Sequence, residues 1–217
     1  MKAQKIVITG WPGTGKSSII FELEKRGYTC LHEISRQVTL EAQKEGIDQL
    51  FLEQPLLFSK KLLEGRDAQF IEAEESEGTL IFIDRGVHDV IAYMDYFNTK
   101  YDEPFISTCK NRIYEQVFLL PPWEEIYKSD NERYESFAEA EKISDYLSKT
   151  YIAYGYKPII VPTGTVEERT DFIFKKYEFT ALMGTYVTFK RRAVARELGK
   201  VFGLPKENID KLSAGFF

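Results

Sequence analysis

The chain has 217 residues, of which 43% are hydrophobic, and its net charge is −5 at neutral pH. These values are typical of one globular domain, or of one domain with an appendage, and no apolar run approaches the ~20 residues that a membrane span needs. Only Cys30 and Cys109 occur, without the spacing of a metal site or a redox pair. No signal peptide is recognisable before the first predicted strand, so we expect a cytoplasmic protein.

The first predicted strand leads into a phosphate-binding loop. The apolar run Lys5–Thr9 is followed by Gly10–Ser17, which matches G-x-x-x-x-G-K-[ST], and then by a helical stretch, Lys16–Arg26. In such loops the glycines turn backbone N–H groups toward the phosphates, the lysine reaches the β- and γ-phosphates, and the hydroxyl binds Mg²⁺. The alternative is a glycine turn before a helix. We expect ATP and Mg²⁺ as cofactors, held by Gly10, Gly13, Thr14, Gly15, Lys16, Ser17 and Ser18, with Ser17 as a metal ligand.

The rest of the chain alternates between short apolar runs and longer helical patterns. The other predicted strands are Tyr28–His32, Thr79–Asp84, Glu115–Leu120 and Lys157–Val161. The other predicted helices are Ser35–Glu45, Pro55–Glu75, Asp89–Tyr101, Ala138–Tyr154 and Val166–Lys176. Such alternation with right-handed crossovers gives a three-layer α/β sandwich around a parallel sheet. Ligands bind at the carboxyl ends of the strands of such sheets, so we expect the residues after each strand to form the site.

The second strand end carries Glu33 and Arg36. Three residues apart at the start of a helix, their side chains can share one face. A carboxylate beside the γ-phosphate can accept a hydroxyl proton or hold a sugar hydroxyl, and the guanidinium can bind an anionic substrate group. The alternative is a helix-start glutamate that the dipole favours, next to a surface arginine. We expect Glu33 to act in catalysis and both residues to bind substrate.

The third strand ends in Asp84, Arg85 and Gly86. An apolar strand that ends in Asp supplies the carboxylate for the Mg²⁺ shell of a P-loop site. The next residue is Arg85 instead of the glutamate that motor-type ATPases use to polarise water, and an arginine can neutralise transferring phosphoryl charge. This favours transfer to an organic acceptor. Asp89, one turn further on, either binds substrate or is a first-turn acid of a helix.

A polar segment follows the fourth strand. Pro121-Pro122-Trp123 precedes the charged residues 129–135, which lie just before the predicted helix Ala138–Tyr154. In kinases with this topology such a segment is a mobile lid whose arginines close over the phosphates and exclude water. Arg133 is therefore a candidate catalytic residue. The alternative is a solvated run of charges.

Taken together, these motifs resemble the AAA-domain predicted ATPases, a P-loop kinase family related to ribosylnicotinamide kinases. The resemblance covers about residues 3–176, and its motifs are Gly10–Ser17, Glu33-x-x-Arg36, Asp84-Arg85-Gly86 with Asp89, Pro121–Trp123, Asp130-x-Glu132-Arg133, and Gly155-Tyr156 with Val161-Pro162. It implies the nucleoside and nucleoside-monophosphate kinase fold, with five strands in the order 2-3-1-4-5. It names no substrate.

The last forty residues have a different character. Residues 177–217 resemble a short fragment of the bacterial DNA polymerase III alpha subunit, too short to carry a polymerase site. Phe189, Ala193, Leu198, Val201 and Phe202 predict an amphipathic helix, and the basic residues near it form a solvated face or a weak nucleic-acid contact. We expect a kinase-like domain at 1–176 and a helical extension at 177–217 through which homo-oligomers can form.

Two functions remain open at this point. The first is an ATP- and Mg²⁺-dependent phosphotransferase whose partner is a small hydroxyl-bearing acceptor, plausibly a nucleoside or nucleotide-like metabolite. The second is an ATPase that acts as a nucleotide-dependent switch for a protein partner. We expect neither a membrane nor a nucleic acid as partner.

Overall fold

A parallel five-stranded sheet forms the centre of the fold. The computed structural model describes residues 3–76, 80–126 and 137–188, with side chains as far as residue 177. The chain divides into two compact units, residues 1–173 and residues 174–217. The strands are β1 (Gln4–Gly10), β2 (Thr29–Leu31), β3 (Leu80–Asp84), β4 (Gln116–Leu120) and β5 (Ile159–Ile160). Their order is β2-β3-β1-β4-β5, and every pairing is parallel, which confirms the predicted fold class.

Strand β1 is buried on both faces because helices cover both sides of the sheet. Val7 belongs to a large apolar cluster with residues of β3 and of the helices packed on that face. Ile6 and Ile8 point to the opposite face, since side chains alternate along a strand, and they too have no exposed surface. A strand covered on both faces is a near-continuous apolar run, which explains why it was recognisable in the sequence.

The helices lie between the strands as the alternating pattern predicts. They are α1 (Lys16–Lys25), α2 (Ser35–Lys44), α3 (Leu50–Glu53), α4 (Pro55–Glu75), α5 (Val87–Tyr96), α6 (Glu103–Asn111), α7 (Phe137–Ala153) and α8 (Val166–Thr188), with a 3₁₀ turn at Glu124–Ile126. Helix α1 contacts β1 and β3, and α5 packs against α7. In the described part of the chain, no helix combines the length and apolar character needed to cross a bilayer.

The prediction of one helix over Asp89–Tyr101 is wrong. Helix α5 ends at Tyr96, where Asn98 adopts a left-handed conformation with φ of 52° and its N–H donates to the carbonyl of Asp95. Asn is one of the few residues that tolerate this region of φ, so the turn ends the helix. A second helix, α6, then begins with Pro104 in its first turn. Neither α6 nor the short helix α3 was predicted, and α8 continues past its predicted end to Thr188.

Candidate functional site

The phosphate-binding loop joins β1 to α1 at the carboxyl edge of the sheet. Gly10, Gly13 and Gly15 all have positive φ, of 147°, 87° and 84°, a region that side chains with a Cβ rarely adopt. Gly10 also lies so close to β4 that a Cβ would be 2.5 Å from the carbonyl oxygen of Leu120. The backbone conformation therefore accounts for glycine at these three positions, and phosphate binding by the loop stays a prediction.

Lys16 folds back onto its own loop. Its ammonium donates to the carbonyls of Gly10 and Trp11, both at 2.9 Å, and the side chain is buried. Burial and the charge of Arg85 lower the pKa of Lys16 to about 7, although nearby carboxylates act in the opposite direction. If Lys16 binds phosphates as predicted, a nucleotide competes for its ammonium with these two carbonyls.

Asp84 ends β3 beside Ile8 of β1. The carboxylate is buried, and among the described residues its Oδ1 has no hydrogen-bond partner. Burial raises the pKa of Asp84, as expected for an anion that lacks full compensation. This carboxylate oxygen of Asp84, buried and without a hydrogen-bond donor, is suited to take part in the coordination of Mg²⁺. Ser17, at the start of α1, is exposed and can contribute its hydroxyl. Within the described ranges no group of three or more His, Cys, Asp or Glu side chains is arranged to hold a metal ion, and Mg²⁺ in phosphate sites needs no such group.

Glu33 is held by two arginines and by the start of α2. Its Oε1 accepts hydrogen bonds from the backbone of Ile34 and Ser35 at 3.0 and 3.1 Å and from Arg66 at 3.1 Å, and its Oε2 pairs with Arg85. Burial alone would raise the pKa of Glu33, but Arg66 and Arg85 lower it to about 2. The carboxylate is therefore ionised at neutral pH, which makes it a good hydrogen-bond acceptor and a weak proton acceptor.

Arg66 was missed by the sequence analysis, although the sequence carried a signal for it. The buried residues of α4 include Leu62, Leu63, Phe70 and Ala73, and Arg66 stands within this stripe at helical spacing. A charged residue in an apolar stripe needs a buried partner, and Glu33 is that partner. The predicted neighbour, Arg36, instead has an exposed side chain on α2.

Arg85 connects the site to α5. It has a positive φ of 73°, unusual for a residue with a side chain, and its N–H donates to the carbonyl of Ile8. The guanidinium is buried, pairs with Glu33, and donates to the Tyr93 hydroxyl at 3.2 Å. Burial opposes the charge, yet Tyr93, Glu33 and Asp89 raise the pKa of Arg85. Arg85 thus provides a fixed positive charge close to Asp84.

Asp89 is fully buried, and its carboxylate has four polar partners. Its carboxylate accepts hydrogen bonds from the Thr9 hydroxyl, from the Gly86 N–H at 3.1 Å and from the Tyr151 hydroxyl at 2.6 Å, and it lies 3.5 Å from Arg85. These partners leave little access for a substrate. The geometry favours a role in holding Arg85 and the turn before α5, while direct substrate binding by Asp89 stays a prediction. Arg133 lies outside the described residues.

The affinity for ATP should fall as the pH rises from about 7.5 to 9. The pKa of Lys16 is about 7 in the ligand-free protein, and bound phosphates should raise it. Binding should therefore take up a proton in this pH range. By linkage, the dissociation constant increases with pH, by at most about tenfold per pH unit. Calorimetric titration of Mg-ATP in two buffers of different ionisation enthalpy measures this uptake. Lys16→Arg, which stays charged, should show a smaller pH dependence, and proton release on binding to the wild type would contradict the prediction.

Comparison with known proteins now decides the family. The family model described as "AAA domain" matches residues 5–169, which is most of the chain. The chain belongs to the AAA domain family. This confirms the predicted family resemblance for the kinase-like part, whereas no comparison supports the polymerase resemblance of residues 177–217. A comparison with curated proteins gives no match.

Several solved structures are similar in fold to this AAA domain protein. Deoxyadenosine kinase from M. mycoides has a TM-score of 0.59 at 19% identity, over 81% of this chain and 99% of that one. Thymidylate kinase from Candida albicans has a TM-score of 0.58 at 19% identity, over 83% and 93%. NadR protein in complex with NR has a TM-score of 0.61 at 16% identity, over 80% of this chain and 49% of NadR. At such identities the likeness shows the fold alone, and it confirms the predicted α/β sandwich around a parallel five-stranded sheet.

Proposed function

We propose that the protein is an ATP- and Mg²⁺-dependent phosphotransferase that acts on a small hydroxyl-bearing metabolite, nucleoside- or nucleotide-like in character. The observation that carries this proposal is the ionised Glu33 held between Arg66 and Arg85, close to Asp84 and Lys16. A carboxylate with two guanidinium groups can orient a hydroxyl acceptor and compensate phosphoryl charge. A water-activating glutamate after Asp84, which hydrolysis favours, is replaced here by Arg85.

Each group in the site has a role in this reaction. The loop amides and Lys16 bind the β- and γ-phosphates, and Ser17 and Asp84 are the residues that would hold Mg²⁺. When bound, the metal would supply positive charge that neutralises the phosphates. Arg85 stabilises negative charge on the transferring group, and Glu33 accepts a hydrogen bond from the acceptor hydroxyl. In a loose transition state this proton need not leave early, so a carboxylate with a pKa near 2 is adequate.

The outer groups complete the proposal. Arg36, on the exposed face of α2, contributes to binding an anionic acceptor. Arg133, which lies outside the described residues, stays the candidate for an arginine that stabilises the phosphates. We also propose that residues 177–217 can mediate the formation of homo-oligomers. The names of the structural relatives, which include kinases of deoxyadenosine and thymidylate, support a substrate of this class.

Acceptor dependence tests this function. With Mg-ATP alone, ADP release should be slow, and one member of a panel of nucleosides, nucleotides and vitamin precursors should raise it by about tenfold or more. The product should carry one additional phosphoryl group by mass spectrometry. Lys16→Ala, prepared identically, controls for contaminating ATPases. Rates that stay flat across the panel would favour the nucleotide-dependent switch instead.

A further inference from the structure

An arginine of α8 contacts the phosphate-binding loop. Arg169 of α8 is 3% exposed, and its Nη1 donates to the carbonyl oxygen of Thr14 at 2.8 Å. The Trp123 ring lies 5.9 Å from the guanidinium carbon. Within the described part of the chain, the Nε of Arg169 is buried without a hydrogen-bond partner. Nothing in the sequence motifs assigned a function to this residue.

The guanidinium also fills the space beside Gly15. A Cβ on Gly15 would lie 2.7 Å from Nη1 of Arg169 and 4.0 Å from a methyl group of Ile126. The φ of 84° favours glycine at this position, and a Cβ there would in addition displace the Arg169 guanidinium from its place beside the loop. The loop and α8 have complementary shapes at this point.

The hydrogen bond to Thr14 determines where the next amide points. The carbonyl of Thr14 and the N–H of Gly15 belong to one planar trans peptide unit, so they point in opposite directions. A donor that holds the carbonyl toward α8 turns the Gly15 N–H away from α8. On its other side, Thr14 is held by its own N–H and hydroxyl, which both donate to the carbonyl of Trp11, at 3.3 and 2.8 Å. The orientation of the Thr14–Gly15 peptide is thus fixed from both sides.

We propose that Arg169 is a positioning residue for phosphate binding, which orients and polarises the Thr14–Gly15 peptide so that the Gly15 N–H donates to a bound phosphate. This inference rests on the proposed nucleotide site. A hydrogen bond from a charged donor is stronger than one from a neutral donor, and chains of hydrogen bonds polarise one another. The charge of Arg169 therefore strengthens the phosphate contact through the peptide, without a direct contact between the guanidinium and the phosphate.

The test compares two probes on two variants. Inorganic tripolyphosphate reports on phosphate binding alone, and ADP reports on phosphates together with the nucleoside. For Arg169→Met the dissociation constants of both probes should rise by a similar factor, about tenfold or more, and for Arg169→Lys they should rise less. The amide proton of Gly15, followed by NMR, should shift on tripolyphosphate binding in the wild type and shift less in Arg169→Met. The matched control is Asp171→Asn, which removes the charge from the ion pair of α8 with Arg26 and leaves the loop contact intact.

Each result bears on the proposal. Equal weakening of both probes, with a reduced Gly15 shift and normal binding by Asp171→Asn, supports it. Weakening of ADP alone would mean that Arg169 contacts the nucleoside, and unchanged affinities would mean that the loop does not need Arg169; either overturns it. If Arg169→Met does not fold, Arg169→Lys is assessed by the same two criteria. Failure of the wild type to bind either probe would instead refute the nucleotide site itself.

Discussion

Replacing Lys16 with alanine should weaken ATP binding by about 30-fold or more while the fold persists. Loss of one charged partner from a buried polar contact costs about 2–5 kcal/mol, and 1.4 kcal/mol corresponds to tenfold in affinity. The ligand-free protein should keep its melting temperature, because the variant also removes a buried ammonium whose charge is disfavoured by burial. Isothermal titration of ATP, with a melting curve of the same sample, measures both effects.

A matched control for this variant lies on the same helix. Lys25, at the other end of α1, has an exposed side chain and pairs with Glu22 on the surface. Lys25→Ala removes the same type of side chain from α1, and we expect its ATP affinity to equal that of the wild type. Undiminished affinity in Lys16→Ala would show that the nucleotide is bound elsewhere.

Replacing Asp84 with asparagine should reduce turnover by orders of magnitude, while nucleotide still binds. The variant keeps the size of the side chain but removes the charge of the buried oxygen that would face Mg²⁺, and the metal carries much of the transition-state stabilisation in phosphoryl transfer. Turnover is measured at saturating acceptor over a Mg²⁺ titration. The affinity for ADP is measured in EDTA, so that nucleotide binding is assessed separately from turnover.

Two controls accompany Asp84→Asn: its own melting temperature, and a variant that removes a different carboxylate. For Asp84→Asn, the ligand-free melting temperature should change by less than about 3 °C, roughly the shift that 1 kcal/mol produces at this chain length. Asp67→Asn removes a carboxylate that pairs with Arg112, and its turnover should match the wild type. Wild-type turnover in Asp84→Asn would place the metal ligand at another residue.

Most of the sheet was predictable from the sequence. The predicted strands Lys5–Thr9, Thr79–Asp84 and Glu115–Leu120 match β1, β3 and β4 to within one residue at each end that the structure describes, because strands covered on both faces are marked by continuous apolar runs. The edge strands β2 and β5 are shorter than predicted. An edge strand pairs with one neighbouring strand only, so fewer backbone hydrogen bonds hold its ends in the sheet. The break between α5 and α6 was missed because it depends on the conformation of Asn98.

The sequence by itself determined the phosphate-binding loop and the polar groups that follow each strand. These features depend on a few neighbouring residues: glycines at positive φ, Lys16 at the start of a helix, and Asp84 at the end of an apolar strand. The strand order was also anticipated, but through the family resemblance.

The tertiary structure alone decided which side chains meet at the site. Arg66 reaches Glu33 from α4, and Arg169 reaches Thr14 across 155 residues of sequence. Such partners depend on how each helix is rotated and packed on the sheet, which arises from many weak apolar contacts spread over the whole core. A local pattern can mark a residue such as Arg66 as unusual, but only packing determines its partner.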